Sequence, residues 1–242
     1  MRVATWNLAR CRAASVRAAR LRDWMARIDA DVWVLTETYC DLSPEPAYTL
    51  IAHSASAPDR DSRDGEVWVA IWSRLTAEPI DLTADQERVA AVRIVSSDVI
   101  VVGTVLPWLA DCRHAELRGA DAFVDRLAAQ SAEWRRLRDE GPGGLCVAGD
   151  FNQDLLTPGH YYGSRQGRSA LRNTLAACGL DCLTADADDP LAARDGRASI
   201  DHITVAGLKA RGEPRSHVWP PAGELNPSLS DHYGVWSDLV AD

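Results

Sequence analysis

The sequence predicts an α/β fold in which two β-sheets pack face to face with helices on the outside. Three observations lead there. Short apolar runs of strand length recur from residue 3 to residue 239. Two longer segments, 15–28 and 112–140, carry apolar residues at three-and-four spacing, the mark of a helix with one buried face. Strands first alternate with helices, then follow one another directly, then alternate again, an order that suits two packed sheets with outer helices. The 242 residues suit one large domain spanning 1–242 better than two small ones.

Each element has a local reason. Residues 3–8 form a first apolar strand. In 15–28, Leu21, Trp24, Met25 and Ile28 share one helix face and arginines cover the other. Residues 32–36 are short and nearly all apolar, as expected of a strand buried on both faces. Residues 54–65 are small and polar and read as an exposed loop. Strands follow at Glu66–Ser73, 88–95 and 99–106, and the Ser96-Ser97-Asp98 link makes the last two a hairpin. In 112–140, Leu117, Ala120, Val124, Leu127, Ser131, Trp134 and Leu137 line one stripe, and Gly141-Pro142-Gly143-Gly144 ends the helix. Leu145-Cys146-Val147-Ala148 is a buried strand. Residues 157–168 read as a loop, followed by a short helix to Cys178. Residues 185–198 are a further loop, and 200–205 and 233–239 are the closing strands.

Composition narrows the possibilities. Hydrophobic content of 46% and charged content of 25% are ordinary for a water-soluble fold. A net charge of −9, from 26 basic and 35 acidic residues, argues against nonspecific wrapping of nucleic acid, which needs many cationic contacts to phosphates. It leaves room for an enzyme whose acids gather at a metal site. No stretch approaches the roughly 20 apolar residues of a membrane span. The start, Met1-Arg2-Val3-Ala4-Thr5-Trp6, runs into a strand without the pattern of a signal peptide. Cysteines 11, 40, 112, 146, 178 and 182 show no Cys-x-x-Cys pair and no zinc spacing, so six reduced thiols in a cytoplasmic protein are expected. Most of the nine tryptophans, Trp24, Trp68, Trp72 and Trp134 among them, fall at packing positions.

The chemistry-bearing residues cluster at the ends of apolar runs. Asn7 follows the first strand, Glu37 follows Val34-Leu35-Thr36, and Gly149-Asp150-Phe151-Asn152 follows the central strand. Asp201-His202 follows Ser199-Ile200, and Asp231-His232 follows Ser230. Taken singly, each reads as a cap, turn or surface acid. Together they collect carboxylates, amides and imidazoles. That set suits phosphodiester hydrolysis, where a cation must screen the phosphoryl oxygens and a water must be oriented and deprotonated. Mg²⁺ (or Mn²⁺) is the expected cofactor, because it prefers hard oxygen ligands and few protein carboxylates.

The pieces Thr5-Trp6-Asn7-Leu8, Leu35-Thr36-Glu37-Thr38, Gly149-Asp150-Phe151-Asn152, Ser199-Ile200-Asp201-His202-Ile203 and Leu229-Ser230-Asp231-His232-Tyr233 resemble the endonuclease/exonuclease/phosphatase superfamily. That group includes apurinic-site endonucleases, deoxyribonucleases, inositol polyphosphate phosphatases and neutral sphingomyelinases. The resemblance implies a four-layer α/β/β/α sandwich with the site at one edge of both sheets. It implies metal ligation by Glu37, with Asn7 beside it and Asp231 on the same or a second ion. It implies that Asp150 activates the attacking water, that Asn152 donates to the phosphate or fixes that water, and that His232, polarised by Asp201, contacts the phosphoryl oxygens. His202 carries no inherited role.

One departure stands out. Many relatives end the strand before the long helix with a phosphate-contacting His or Tyr, and here Thr104 or Val105 occupies that place. The 159–168 loop holds Tyr162, Arg165 and Arg168 with glycines at 163 and 167, so it reads either as solvated surface or as a substrate-facing loop. In the second case Arg165 or Arg168 compensates for the missing group, Arg168 ahead of Arg165 because it precedes the short helix. The expected activity is a metal-dependent phosphoesterase, foremost a nuclease on DNA or RNA. A mild preference for nucleic acid rests on the lack of a membrane-binding segment and of dense lysine clusters. The alternatives are a phosphatase or phosphodiesterase on a small soluble phosphate ester, and a non-catalytic binding protein of the same fold.

Overall fold

The computed structural model describes residues 1–55, 63–111, 117–192, 197–221, 226 and 229–242. The chain opens with β1 (Arg2–Asn7), α1 (Val16–Ile28) and β2 (Val32–Tyr39). Next come β3 (Thr49–His53), β4 (Glu66–Ser73), β5 (Ala77–Pro79), β6 (Val89–Ile94) and β7 (Val99–Val105). Then follow α2 (Gly119–Glu140), β8 (Leu145–Asp150), α3 (Arg165–Ala177) and β9 (Asp181–Cys182). The chain closes through β10 (Asp201–Ala206), β11 (Leu208–Ala210), β12 (His217–Trp219) and β13 (Gly234–Ala241).

The strands form two mixed sheets. One has the order β11-β13-β1-β2-β4-β3, with β12 also on β13; the other has the order β5-β6-β7-β8-β10-β9. Three apolar layers hold them. Val3, Val34, Ile71, Val101, Cys146, Ile203 and Val235 fill the space between the sheets. Leu21 and Met25 of α1 pack with Trp6, Trp33 and Trp219 on the outer face of the first sheet. Phe123, Leu127 and Trp134 of α2 and Leu171 of α3 pack with Val147 and Phe151 on the outer face of the second. The result is the four-layer α/β/β/α sandwich that the order of elements foretold.

Ser15 begins α1 as its N-cap, the side-chain oxygen accepting from the Ala18 N–H at 3.1 Å. The second helix starts later than its stripe suggested. It begins at Gly119, Leu117 lies exposed ahead of it, and residues 112–116 lie outside the described residues. Its buried face is Ala122, Phe123, Leu127, Trp134 and Leu137, so Ala120 and Val124 sit at the margin. The predicted 157–168 loop gives up its last four residues to α3, where Ser164 caps the Gly167 N–H at 2.8 Å. Of the loop at 54–65, residues 56–62 lie outside the described residues, as do 193–196 of the loop at 185–198, and a single 3₁₀ turn at Asp186–Asp188 occupies part of the latter. The short strands β3, β5, β9, β11 and β12 were not legible in the sequence. Cys11, Cys40, Cys146, Cys178 and Cys182 are free thiols, and Cys112 lies outside the described residues. No helix among the described residues is long and apolar enough to cross a membrane.

Topology decides where the chemistry gathers. β1 and β2 run parallel, so their C-terminal ends share one edge. β10 runs antiparallel to β8 and pairs Asp201 with Asp150, so the start of one strand meets the end of the other. β13 is antiparallel to β1, which brings the residues just before it to the same edge. Gly149 lets β8 make this turn. It sits at φ +146°, and a β-carbon there would stand 2.0 Å from the Thr104 carbonyl oxygen.

Candidate active site

Asp150 lies at the centre of this edge and is 1% exposed. Its Oδ1 accepts from the Asn152 backbone N–H at 2.9 Å. Its Oδ2 accepts from Asn152 Nδ2 at 3.0 Å and from Asn7 Nδ2 at 3.1 Å. Three such bonds would ordinarily favour the ionised form, but burial pushes the carboxyl up to about 7. The charge of His232 opposes that rise, and Asp201 and Glu37 add to it. A carboxylate held near neutrality can both carry and release a proton at ordinary pH.

Asn152 is bound on both of its amide hydrogens, one to Asp150 and one to the Leu106 carbonyl at 2.9 Å. Its backbone, at φ +48°, is left-handed. That geometry makes it a brace for Asp150 and leaves only its side-chain oxygen uncommitted. Asn7 is likewise shared. Its Nδ2 bridges Asp150 and Glu37 Oε1, the latter at 3.2 Å, and its Oδ1 accepts from the Ala9 N–H at 2.9 Å.

Glu37 lies inside β2 rather than at its end. The pairing with β4 passes from Thr36–Val69 to Thr38–Val67, and Glu37 takes φ +43° between them. The local left-handed turn of the backbone re-aims the carboxylate toward the edge. Its Oε2 accepts from Arg10 Nε at 3.1 Å.

His232 Nδ1 and Asp201 Oδ2 lie 2.7 Å apart. Burial opposes a charged imidazole, yet Asp201, Asp150 and Asp231 outweigh it and hold His232 up at about 10. Its backbone is fixed by Trp6 Nε1 donating to the carbonyl at 3.0 Å and by Ser230 Oγ accepting its N–H at 3.1 Å. The second Asp201 oxygen is buried and has no hydrogen-bond partner among the described residues. Asp150, Asp201 and His232 place ligand-type atoms within 4.8 Å of one another. Asp231 is exposed beside them. The Tyr162 phenol is raised by burial and by the charges of Asp150, Asp231 and Glu37, so it looks onto the same acid-lined space.

The remaining sequence candidates divide. Arg168 is spent on its own loop: Nη1 donates to the Leu156 carbonyl at 2.6 Å and to the Gly159 carbonyl, with Asp154 at 3.5 Å. Arg165, at the start of α3, is exposed and has no bonded partner among the described residues. His202 is fully buried, with Nε2 2.9 Å from the Gln153 carbonyl and Nδ1 2.6 Å from Thr184 Oγ1, and so braces the wall behind the site. Thr104 bonds away from the edge, to Gln130 of α2. Val105 pairs with Asp150 in the sheet and therefore stands beside it on the same face.

Sequence reasoning missed Arg10, which contacts Glu37 directly. It missed Arg88 as well, whose backbone pairs with Val105 and whose guanidinium is buried against Asp111. A recess opens next to His232, lined by Tyr161, Leu191, Arg197 and Tyr233.

The residues also pass the test of fit for a divalent cation. Asp150 and Asp201 offer hard oxygen donors, and the Asn7 amide ties Asp150 to the further carboxylate of Glu37. The buried Asp201 oxygen without a partner among the described residues, and an Asp150 carboxyl raised first by burial and further by Asp201 and Glu37, mark a site with room for positive charge.

Comparison with known proteins gives the same picture. A family model described as "Endonuclease/Exonuclease/phosphatase family" matches residues 4–232. No curated protein matches the chain. Among solved structures, a 3′-5′ exonuclease from Neisseria meningitidis is similar, with a TM-score of 0.67 and 20% identity over 98% of this chain and 99% of that one. The endonuclease domain of a telomere-specific non-LTR retrotransposon has a TM-score of 0.62 and 18% identity, covering 98% and 96%. A mannosyl-6-phosphatase from Bacteroides thetaiotaomicron has a TM-score of 0.62 and 14% identity, covering 99% of each chain. At these identities the likeness concerns the fold.

Proposed function

The chain belongs to the endonuclease/exonuclease/phosphatase family, and from that premise we propose that it is a divalent-metal-dependent phosphoesterase that hydrolyses phosphodiester bonds in DNA or RNA. The observation that carries this reading is the buried Asp150 carboxyl, fixed by Asn7 and Asn152 and set beside the Asp201–His232 pair.

Glu37, with Asn7 beside it, would hold Mg²⁺ or Mn²⁺, and Asp231 would serve the same ion or a second one. When bound, such an ion screens the negative phosphoryl oxygens and so makes the phosphorus open to attack. Asp150 orients the attacking water and takes its proton. A base whose carboxyl lies near 7 is well matched to that task. Asn152 keeps Asp150 in place. His232, charged and anchored by Asp201, faces the phosphoryl oxygens and stabilises the charge that grows on them and on the departing oxygen.

Nucleic acid is the favoured substrate because of the rim. Tyr161 and Tyr162 are 45% and 38% exposed there, an unusual display of aromatic surface, and each offers a face on which a base can stack. Arg165, exposed at the start of α3 and without a bonded partner among the described residues, offers a cation for a backbone phosphate. Arg168 is already spent. Arg165→Met is therefore expected to lower kcat/KM by about tenfold through KM, in keeping with loss of one exposed charge-assisted contact. Arg168→Met is expected to act on the loop and lower Tm. Equal kinetic losses in both variants would contradict this division.

The recess next to His232 favours a second reading, hydrolysis of a small soluble phosphate ester held there. A panel of DNA, RNA, abasic DNA, nucleotides, sugar phosphates and inositol phosphates, each with Mg²⁺ or Mn²⁺, separates the two. Cleavage of the polymers supports the first reading. Turnover of small esters alone supports the second. Turnover of none makes this a binding protein built on the same fold.

A further inference from the structure

We propose that Arg10 is a tethered counter-cation of Glu37, which a divalent ion must displace to reach that carboxylate, so that Arg10 sets the metal affinity of the site. The proposal rests on the reading of Glu37 as a metal ligand.

The contact is built into the backbone. Ala9 and Arg10 take φ values of +45° and +55°, a left-handed conformation that residues with a β-carbon seldom adopt. The turn persists because it is stitched to β2. The Leu8 N–H donates to the Thr36 carbonyl at 2.9 Å, and the Arg10 N–H donates to the Glu37 carbonyl at 2.8 Å. Glu37 is itself left-handed at φ +43°. Two unfavourable backbone geometries therefore lie side by side, and together they press one arginine against one glutamate. Strain kept in this way points to a task.

The side chains complete it. Both oxygens of Glu37 are taken by N–H donors, Oε1 by Asn7 and Oε2 by Arg10. The guanidinium also lies 3.4 Å from Glu66 Oε1 and 5.2 Å above the Trp68 ring. It can thus leave Glu37 and still keep a carboxylate and an aromatic face. The Arg10 and Glu37 side chains are 33% and 22% exposed, so water screens their attraction and the pair can open. A hard divalent ion and a guanidinium cannot use the same carboxylate oxygen in the same direction, and their like charges repel. Released from Glu37, Arg10 keeps its place beside Glu66 and Trp68.

Calorimetric titration of Mn²⁺ into metal-free protein tests this. Arg10→Met keeps an apolar stem for Trp68 but removes the charge. It is expected to bind Mn²⁺ about three- to thirtyfold more tightly than wild type, from loss of a screened competitor and its repulsion. Arg10→Lys restores a cation and is expected to return affinity toward wild type. A merely structural role for Arg10 would weaken binding in both variants. Unchanged or weaker Mn²⁺ binding by a folded Arg10→Met protein overturns the proposal. Glu37→Gln serves as the reference: if wild type binds Mn²⁺ and Glu37→Gln binds it equally well, Glu37 is no ligand, and the underlying reading falls first. Should Arg10→Met misfold by circular dichroism, the comparison passes to Glu66→Gln. Losing its second carboxylate, Arg10 then holds Glu37 more firmly, and Mn²⁺ affinity is expected to fall. An unchanged affinity there overturns the proposal as well.

Discussion

Asp150→Asn lowers kcat by about a hundred- to ten-thousandfold, the usual scale for removing a general base that also orients its water. The amide keeps the shape of the carboxyl but cannot accept a proton. The structural cost is small for a countable reason. One of the two oxygens becomes an NH₂ group and meets an N–H donor, from Asn152 or from Asn7, where it used to accept. Such a buried mismatch costs about 1–3 kcal/mol. Against this, a carboxyl raised to about 7 by burial gains from losing its charge. The two effects oppose each other, so Tm should stay within about 5 °C of wild type. A variant with near-wild-type kcat would show that Asp150 does not act on the water. A collapse of Tm would show that it serves the fold.

His232→Gln lowers kcat by about a hundred- to a thousandfold, the range for loss of one preorganised donor to a developing negative charge. Glutamine can still hydrogen-bond Asp201, but it carries no charge and supplies no proton. The loss should appear in kcat more than in KM, because the interaction strengthens as charge develops. The metal-free protein gives a second readout. The imidazole is raised from its ordinary range near 6.5 to about 10, so its stabilising effect is complete below about 6.5. That effect declines as pH rises and is gone above about 10. Wild type should therefore lose more stability than His232→Gln between pH 7 and pH 10. Parallel losses would mean that His232 is not held charged.

Much of this site could be read from the sequence because its residues sit where strands end. Asn7, Asp150 and Asp201 each adjoin an apolar run, and strand ends of a packed sheet share an edge. The core strands β1, β2, β4, β6, β7, β8, β10 and β13 were legible for a related reason: continuous apolar runs are what a doubly covered strand requires. The edge strands were not. Thr49–His53 is exposed or half-buried along its length, and β5, β9, β11 and β12 are two or three residues long, so a partner rather than their own composition makes them strands. The start of α3 was hidden by Gly167, which reads as a loop residue although Ser164 caps that turn.

Arg10 was hidden more deeply. Nothing in its spacing announces a left-handed turn, and only the hydrogen bonds to Thr36 and Glu37 show that the turn folds onto β2. The same limit applies to the Thr104–Val105 pair. Register alone decides which of two neighbours faces Asp150, and it chose Val105. The fate of Arg168 followed from loop carbonyls that no pattern of residues identifies.

The most direct measurement is hydrolysis of a nucleic-acid phosphodiester by protein stripped of metal with a chelator and then resupplied with Mg²⁺ or Mn²⁺. Wild type should be inactive after stripping and recover with either ion. Glu37→Gln should require a higher ion concentration, because a charged ligand has become a neutral one. Full hydrolysis by exhaustively stripped wild-type protein would contradict the metal-dependent mechanism.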